Sequence, residues 1–332
     1  RAYPIIAAFQ AQLKKGTAAT GQEIKLYEDT VLFLLFYNYA QKFKESIIDP
    51  KKGRIYDYFE EFYDYWSFFF DFPGYNLPQK EEAAHIFACS FQVRRAFYYI
   101  FRAIIGRSAV AANLRAMVWT SIFTHDMRRY RRSFYKRMGD FTTLIIGPTG
   151  SGKELVARAV GLSRYIRFDP KSLTFERDFS ETFFPINLSA LPLTLVESEL
   201  FGHRRGAFTG ALEDRKGWLE VCPAEGSVFL DEIGELDALV QVKLLRVIQA
   251  RTFQPLGSTR VDWRVSCLGR VVGQDLELGH RVDERVSGQE QVSIHLLGVG
   301  LLRPFVHDVL RAMGLPEEEA EIFGGALVFS EL

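Results

Sequence analysis

Apolar residues in the first third of the chain recur at the spacing of one helix face. Leu32, Phe36, Tyr39, Ala40, Phe43 and Ile47 form one such series, and Val93, Phe97, Ile100, Phe101 and Ile104 form another. Between them, Tyr56 to Tyr75 is crowded with aromatic rings and closes on Asp71-Phe72-Pro73-Gly74, a breaker. Gln22 to about Trp119 therefore reads as helical, and residues 1–120 as a small helical domain. Its aromatic belt reads as a bulky core in preference to a sensor pocket.

Further along, the pattern changes to short apolar runs alternating with amphipathic stretches. Strands are expected at Phe141–Ile146, Phe184–Leu188 and Ser227–Ile233, and helices at Glu154–Ile166, Leu195–Phe201 and Ala238–Ala250. Such alternation implies a parallel sheet flanked by helices, an α/β fold.

Composition changes this picture little. The 332 residues carry 41 basic and 41 acidic side chains, so overall charge does not point to nucleic acid or membrane as a partner. A local basic cluster, Arg128 to Arg137, is interleaved with Tyr130, Phe134 and Tyr135. It precedes a strand, so a solvated linker face is the preferred reading over a nucleic-acid contact. Cys89, Cys222 and Cys267 are too scattered for a disulfide framework or zinc knuckle, which predicts a reducing, cytoplasmic setting. Apolar runs such as Val31–Phe36 fall far short of the ~20 residues of a membrane helix. The chain begins at Arg1, without a methionine, and reads as a fragment or trimmed chain.

Two motifs carry candidate chemistry. Gly147, Pro148, Thr149, Gly150, Ser151, Gly152 and Lys153 match the G-x-x-x-x-G-K phosphate loop, set after an apolar strand and before a helix as that motif requires. Its glycines let backbone N–H groups face the phosphates of ATP, and Lys153 reaches the terminal ones. Glu154 stands where a hydroxyl residue commonly ligates Mg2+, so the metal would depend on nucleotide, water and acidic side chains. About eighty residues on, Val228-Phe229-Leu230-Asp231-Glu232 is a hydrophobic strand ending in adjacent carboxylates. Asp231 could hold Mg2+, and Glu232 could polarise a water attacking the γ-phosphate.

Glu197 to His203 is followed by Gly206, Ala207, Phe208, Thr209, Gly210 and Ala211, the string GAFTGA. With this string the chain resembles the bacterial enhancer-binding proteins, the sigma-54-interacting branch of the AAA+ ATPases. The resemblance runs closely from about Asp140 to Thr259. It implies an AAA+ P-loop NTPase core, a 206–211 loop that engages sigma-54, and Asn187 as the residue restraining Glu232. It also explains Glu154, which the family's P-loop helix shares. Domains follow as 1–120 (helical, regulatory), 121–298 (ATPase core, divergent over 260–298) and 299–332 (partial helical lid).

Past Thr259 the chain departs from the family. A strand expected over Trp263–Leu268 would leave Gly269 where the family has a sensor asparagine, and Arg281 or Arg285 only faintly echoes its arginine finger. The divergence is either genuine or a reading-frame disturbance. No helix-turn-helix follows, so DNA binding would reside in sequence absent from this chain. The resemblance implies an ATP-driven ring, commonly a hexamer, that remodels the sigma-54 RNA polymerase closed promoter complex. An ATP-binding, hydrolysis-defective sigma-54 regulator is the alternative.

Overall fold

The computed structural model describes residues 2–16, 18–72, 80–123, 126–137, 141–148, 150–259, 263–264, 269–274 and 293–297. The chain divides into two compact units: Arg1–Tyr99 with Tyr165–Glu181, and Ile100–Arg164 with Thr182–Leu332.

The first unit contains helices α1 (Ala2–Lys14), α2 (Gly21–Ile48), α3 (Phe59–Phe70) and most of α4 (Lys80–Ala103). A capping box starts α2. The Thr20 hydroxyl accepts from the Glu23 amide at 3.3 Å, and the Glu23 carboxylate accepts from the Thr20 amide at 2.8 Å. Pro50, one residue beyond the C-cap Asp49, prevents the helix from continuing.

The buried line of α2 is Tyr27, Val31, Leu35, Tyr39, Phe43 and Ile47, so Tyr39, Phe43 and Ile47 face inward as predicted while Leu32 and Phe36 lie at its flank. On α4 the predicted face holds in part, and Ile104, just past its end, is buried. Ile100 is buried, but Phe97 and Phe101 are exposed, and the inner residues are Ala84, Phe87, Ala88, Phe91 and Ala96. Both ridges meet the aromatic residues of α3, where Phe59, Phe62, Trp66, Phe69 and Phe70 are buried. The aromatic belt is thus core, built from edge-to-face pairs such as Phe43–Phe87 at 5.2 Å and Phe62–Phe87 at 5.3 Å.

Two short strands complete this unit, β2 (Phe168–Asp169) and β3 (Thr174–Phe175), which pair antiparallel. Phe168 lies 4.9 Å from Phe59 and 4.7 Å from Phe87, and Phe175 lies 4.6 Å from Phe91. The Tyr56 amide donates to the Leu173 carbonyl at 2.8 Å. Ile166, expected as the end of a helix, belongs to this core.

The second unit follows in chain order with α5 (Ala109–Phe123), α6 (Met127–Arg132), β1 (Thr142–Ile146) and α7 (Lys153–Gly161). After the excursion come β4 (Phe183–Asn187), α8 (Leu193–Phe201), α9 (Trp218–Val221), β5 (Ser227–Asp231) and α10 (Ala238–Ala250). The last elements are β6 (Thr252–Phe253), β7 (Trp263–Arg264), β8 (Gly269–Gln274) and β9 (Ser293–Leu297). Strands β4, β5, β8 and β1 lie side by side in parallel, and β9 closes the edge antiparallel to β1.

Helix α10 spans the predicted residues, with Asp237 accepting from the Leu239 amide at 2.6 Å. Helix α7 stops at Gly161, five residues short of expectation. The strand expected over 263–268 is not the central one. Of its described residues, Trp263–Arg264 pair with β6, and the central strand is Gly269–Gln274. The finger candidates Arg281 and Arg285 and the expected lid at 299–332 lie outside the described residues.

Candidate functional site

Every parallel strand of the sheet ends on the same edge, where open α/β sheets bind ligands. The 147–153 loop follows β1 there. Gly150 and Gly152 take φ of +77° and +89°, a conformation that an L side chain resists, and so the backbone can curl into the N-terminus of α7. Thr149 lies outside the described residues. Lys153 is 5% exposed, and its ammonium donates to the carbonyls of Gly147 (3.1 Å) and Pro148 (3.2 Å). The side chain therefore folds over the loop it serves. Ser151 Oγ is buried with no hydrogen-bond partner among the described residues. Glu154 is exposed on the first turn of α7.

Two strands away, β5 ends at Asp231 after four buried residues. Glu232 follows in the left-handed region, at φ 57° and ψ 44°. A non-glycine residue held there stores strain, which is common where a side chain must be aimed. Its amide donates to Asp231 Oδ1 at 3.2 Å. Asn187 pairs in register with Asp231 at the tip of β4. Its side-chain oxygen accepts from the Ser189 amide (3.0 Å) and hydroxyl (2.7 Å), so one end of the amide is fixed. Strand β8 runs between β1 and β5, with Gln274 in register with Ile146. The end of the central strand is therefore Gln274, and Gly269 is its beginning; the sequence expectation was displaced by one strand length.

The 206–211 loop leaves the body through a collar. Gly202 caps α8 at φ +76°, and a Cβ on it would lie 2.5 Å from the Arg215 carbonyl and 2.7 Å from the Gly217 amide. Only glycine allows the two legs to approach this closely. His203 and Arg215 exchange backbone hydrogen bonds, both at 2.9 Å. Asp214 ties the legs again, accepting from the Arg205 amide (2.8 Å) and the Arg204 guanidinium (2.5 Å). These donors hold the Asp214 carboxyl below its ordinary range, the backbone amide contributing most.

At the tip, the Gly206 amide donates to the Ala211 carbonyl at 2.9 Å and the Ala211 amide to Phe208 at 3.0 Å. Ala211 is buried, Thr209 is exposed, and Phe208 is 38% exposed with its ring 4.9 Å from His203. His203 is in turn fixed by Ser198 Oγ at 2.7 Å.

Sequence reasoning missed the supports: Ser189 behind Asn187, Ser198 behind His203, and Asp214 across the collar. The pair Gly202 and Gly217, one on each side of the loop, was the available signal for a close approach of two chain segments.

Residues 118–273 match the family described as Sigma-54 interaction domain. Curated relatives agree. The transcriptional regulatory protein GlrR of Escherichia coli is 47% identical over 121 residues, covering 36% of this chain and 24% of GlrR. A Nif-specific regulatory protein of Bradyrhizobium diazoefficiens is 46% identical over 127 residues, covering 37% and 20%. The anaerobic nitric oxide reductase transcription regulator NorR of Klebsiella pneumoniae is 40% identical over 179 residues, covering 53% and 32%. The chain thus spans no more than 32% of the length of these three relatives. The solved structure of NtrX from Brucella abortus in complex with ATP aligns with a TM-score of 0.37 at 20% identity, covering 59% of this chain and 36% of that one. So low a score adds nothing to the argument. Phosphate loop, carboxylate-tipped strand, GAFTGA loop and family match converge: residues 118–273 form a sigma-54 interaction domain, with the AAA+ core of the sigma-54-dependent transcriptional regulators.

Proposed function

We propose that this chain is an ATPase of a sigma-54 activator, using ATP hydrolysis to drive the 206–211 loop against sigma-54 and remodel the closed promoter complex. The observation that carries the reading is the placement of Lys153, Asp231, Glu232 and Asn187 on the edge where all parallel strands of the sheet end.

The residues present fit ATP and Mg2+. The backbone N–H groups of Gly150, Gly152, Lys153 and Glu154 at the start of α7 suit the phosphates, as does Ser151 Oγ, buried without a partner among the described residues. Lys153 would exchange the Gly147 and Pro148 carbonyls for a terminal phosphate. Asp231 would hold Mg2+, which would neutralise charge developing on the phosphoryl oxygens. Glu232, held by its strained backbone, would orient the attacking water and accept its proton. Asn187, anchored by Ser189, is proposed to restrain Glu232 until nucleotide state changes, and Gln274 to occupy the sensor position at the tip of β8.

The Gly206, Ala207, Phe208, Thr209, Gly210 and Ala211 loop presents Thr209 and part of Phe208 on a stiff collar, which suits a surface that transmits force to sigma-54. Assembly into a ring, commonly a hexamer in the family, work in the cytoplasm, and DNA binding through sequence outside this chain belong to the same proposal, as does a regulatory role for the N-terminal unit.

The test is ATP turnover against protein concentration, with and without sigma-54. A steep rise with concentration and a sigma-54 complex lost on Thr209→Ala are expected. Parental turnover in Glu232→Gln would overturn the catalytic assignment.

A further inference from the structure

Between Ile100 and Gly139 the sequence carries nine arginines and lysines against one acid, Asp126, although the chain as a whole balances 41 of each sign. Six of the nine fall within Arg128–Arg137. Position ahead of a strand favours a solvated linker there, but a linker needs no anchor, and this segment has one. Tyr130 is 1% exposed, its ring edge-on to Phe123 of α5 at 5.1 Å. The Asp126 carboxylate caps α6 by accepting from the Arg129 amide at 3.0 Å, and a single 3-10 turn, Phe134–Lys136, continues the segment.

Four cations face solvent from this frame. Arg129, Arg132, Lys136 and Arg137 are exposed, and none of them is ion-paired among the described residues. Arg129 and Arg132, three positions apart on α6, are neighbours on one helix face. The Arg129 guanidinium lies 4.7 Å from the centre of the Phe134 ring, and the Lys136 ammonium 5.6 Å from that of Tyr135. Both rings are half-buried, and Met127, 37% exposed, is the one exposed apolar side chain of residues 126–137.

These features choose between partners. A protein contact is built around a buried apolar or aromatic anchor with charge at its rim, and this segment offers the reverse. Single-stranded nucleic acid stacks its bases on open aromatic faces, whereas here the rings are half-buried with cations against them. A duplex needs neither. Its phosphates recur along the backbone and take unpaired cations, arginine forks in particular, whatever the base sequence. We propose that Arg129, Arg132, Lys136 and Arg137 form a contact surface for the phosphate backbone of duplex DNA, independent of base sequence. This contact is additional to DNA reading by sequence outside the chain, and it stands whether or not the chain turns over ATP.

The test is fluorescence anisotropy of a labelled duplex of roughly 20 base pairs, titrated with the full chain from about 50 mM salt upward. Saturable binding is expected, similar for two unrelated base sequences, with log K falling against log salt at a slope of about −3 to −4. Arg129→Gln, Arg132→Gln, Lys136→Gln and Arg137→Gln together should weaken binding about tenfold or more with the melting curve unchanged. Arg132→Gln alone, which removes no ring contact, should make the slope shallower by about 1. Lys51→Gln, Lys52→Gln, Arg167→Gln and Lys216→Gln together remove the same charge from side chains 67–81% exposed elsewhere, and should leave binding unchanged. Absence of saturable binding, or equal weakening by the two sets of substitutions, overturns the surface. So does a single strand that binds more tightly than the duplex, or polyglutamate of equal charge that displaces the labelled duplex as well as unlabelled duplex does.

Discussion

Glu232 is where residue-scale physics and function meet. Its backbone sits at φ 57°, a conformation that costs a side-chain-bearing residue about 1 kcal/mol or more, and glycine would occupy it without strain. Glu232→Gly should therefore leave the melting temperature unchanged or raised while turnover is lost; a clear fall in Tm would show that the carboxylate stabilises the fold. Glu232→Gln keeps the shape and removes the proposed base, so on the reading above turnover should drop roughly 10²–10⁴-fold with ATP binding retained, read by single-turnover kinetics beside nucleotide titration. The residue types at this edge were legible in sequence because the phosphate-loop and carboxylate-tipped strand motifs have fixed spacing. Ser189 and Ser198 were not, since a serine becomes a support only when the chain brings it beneath Asn187 or His203.

At the scale of elements, the collar and the hairpin make separate claims. Gly202→Ala would put a methyl group 2.5 Å from the Arg215 carbonyl at positive φ, and about 1–3 kcal/mol of destabilisation is expected. Hydrogen exchange should rise at His203 and Arg215 first; unchanged protection there would mean that the collar does not order the loop. Asp214 gives the same collar a pH dependence. Its folded pKa lies below the unfolded value, so its contribution is present above the ordinary carboxylate range and is lost as pH falls through the folded pKa. Acid should loosen the loop base in the parent and have less effect in Asp214→Asn, followed by exchange at Arg205. Phe168 belongs to an element that sits between α7 and β4 in sequence yet is 2% exposed among Phe59 and Phe87. Phe168→Ala should cost the first unit about 3–5 kcal/mol, with α3 and α4 losing protection. No two-residue strand could be read from periodicity, because two positions do not make a period.

For the molecule as a whole, the buried phenols of the first unit set an alkaline limit. Burial raises Tyr56 to about 12 and Tyr27, Tyr39 and Tyr58 still further. Between the ordinary tyrosine value of 10 and the raised ones, the unfolded chain has released protons that the folded chain retains. Stability is thus fully present below pH 10 and falls as pH rises above it. Denaturant midpoints of the first unit measured from pH 8 to 12 should fall steadily past 10, and Tyr56→Phe should lessen that fall.

From sequence alone came the chemistry and its order along the chain: a phosphate loop after an apolar strand, paired carboxylates ending another, and a GAFTGA loop between them. These are local requirements, since phosphate, metal and loop tip each constrain neighbouring residues. The tertiary structure alone decided which strand is central, making Gln274 and not Gly269 its end, because strand order depends on hydrogen bonds between segments far apart. It also decided that residues 165–181, interrupting the AAA+ core in sequence, pack with the N-terminal helices. That allegiance follows from burying Phe168 and Phe179 among rings that lie about a hundred positions away, a gain that no local pattern encodes.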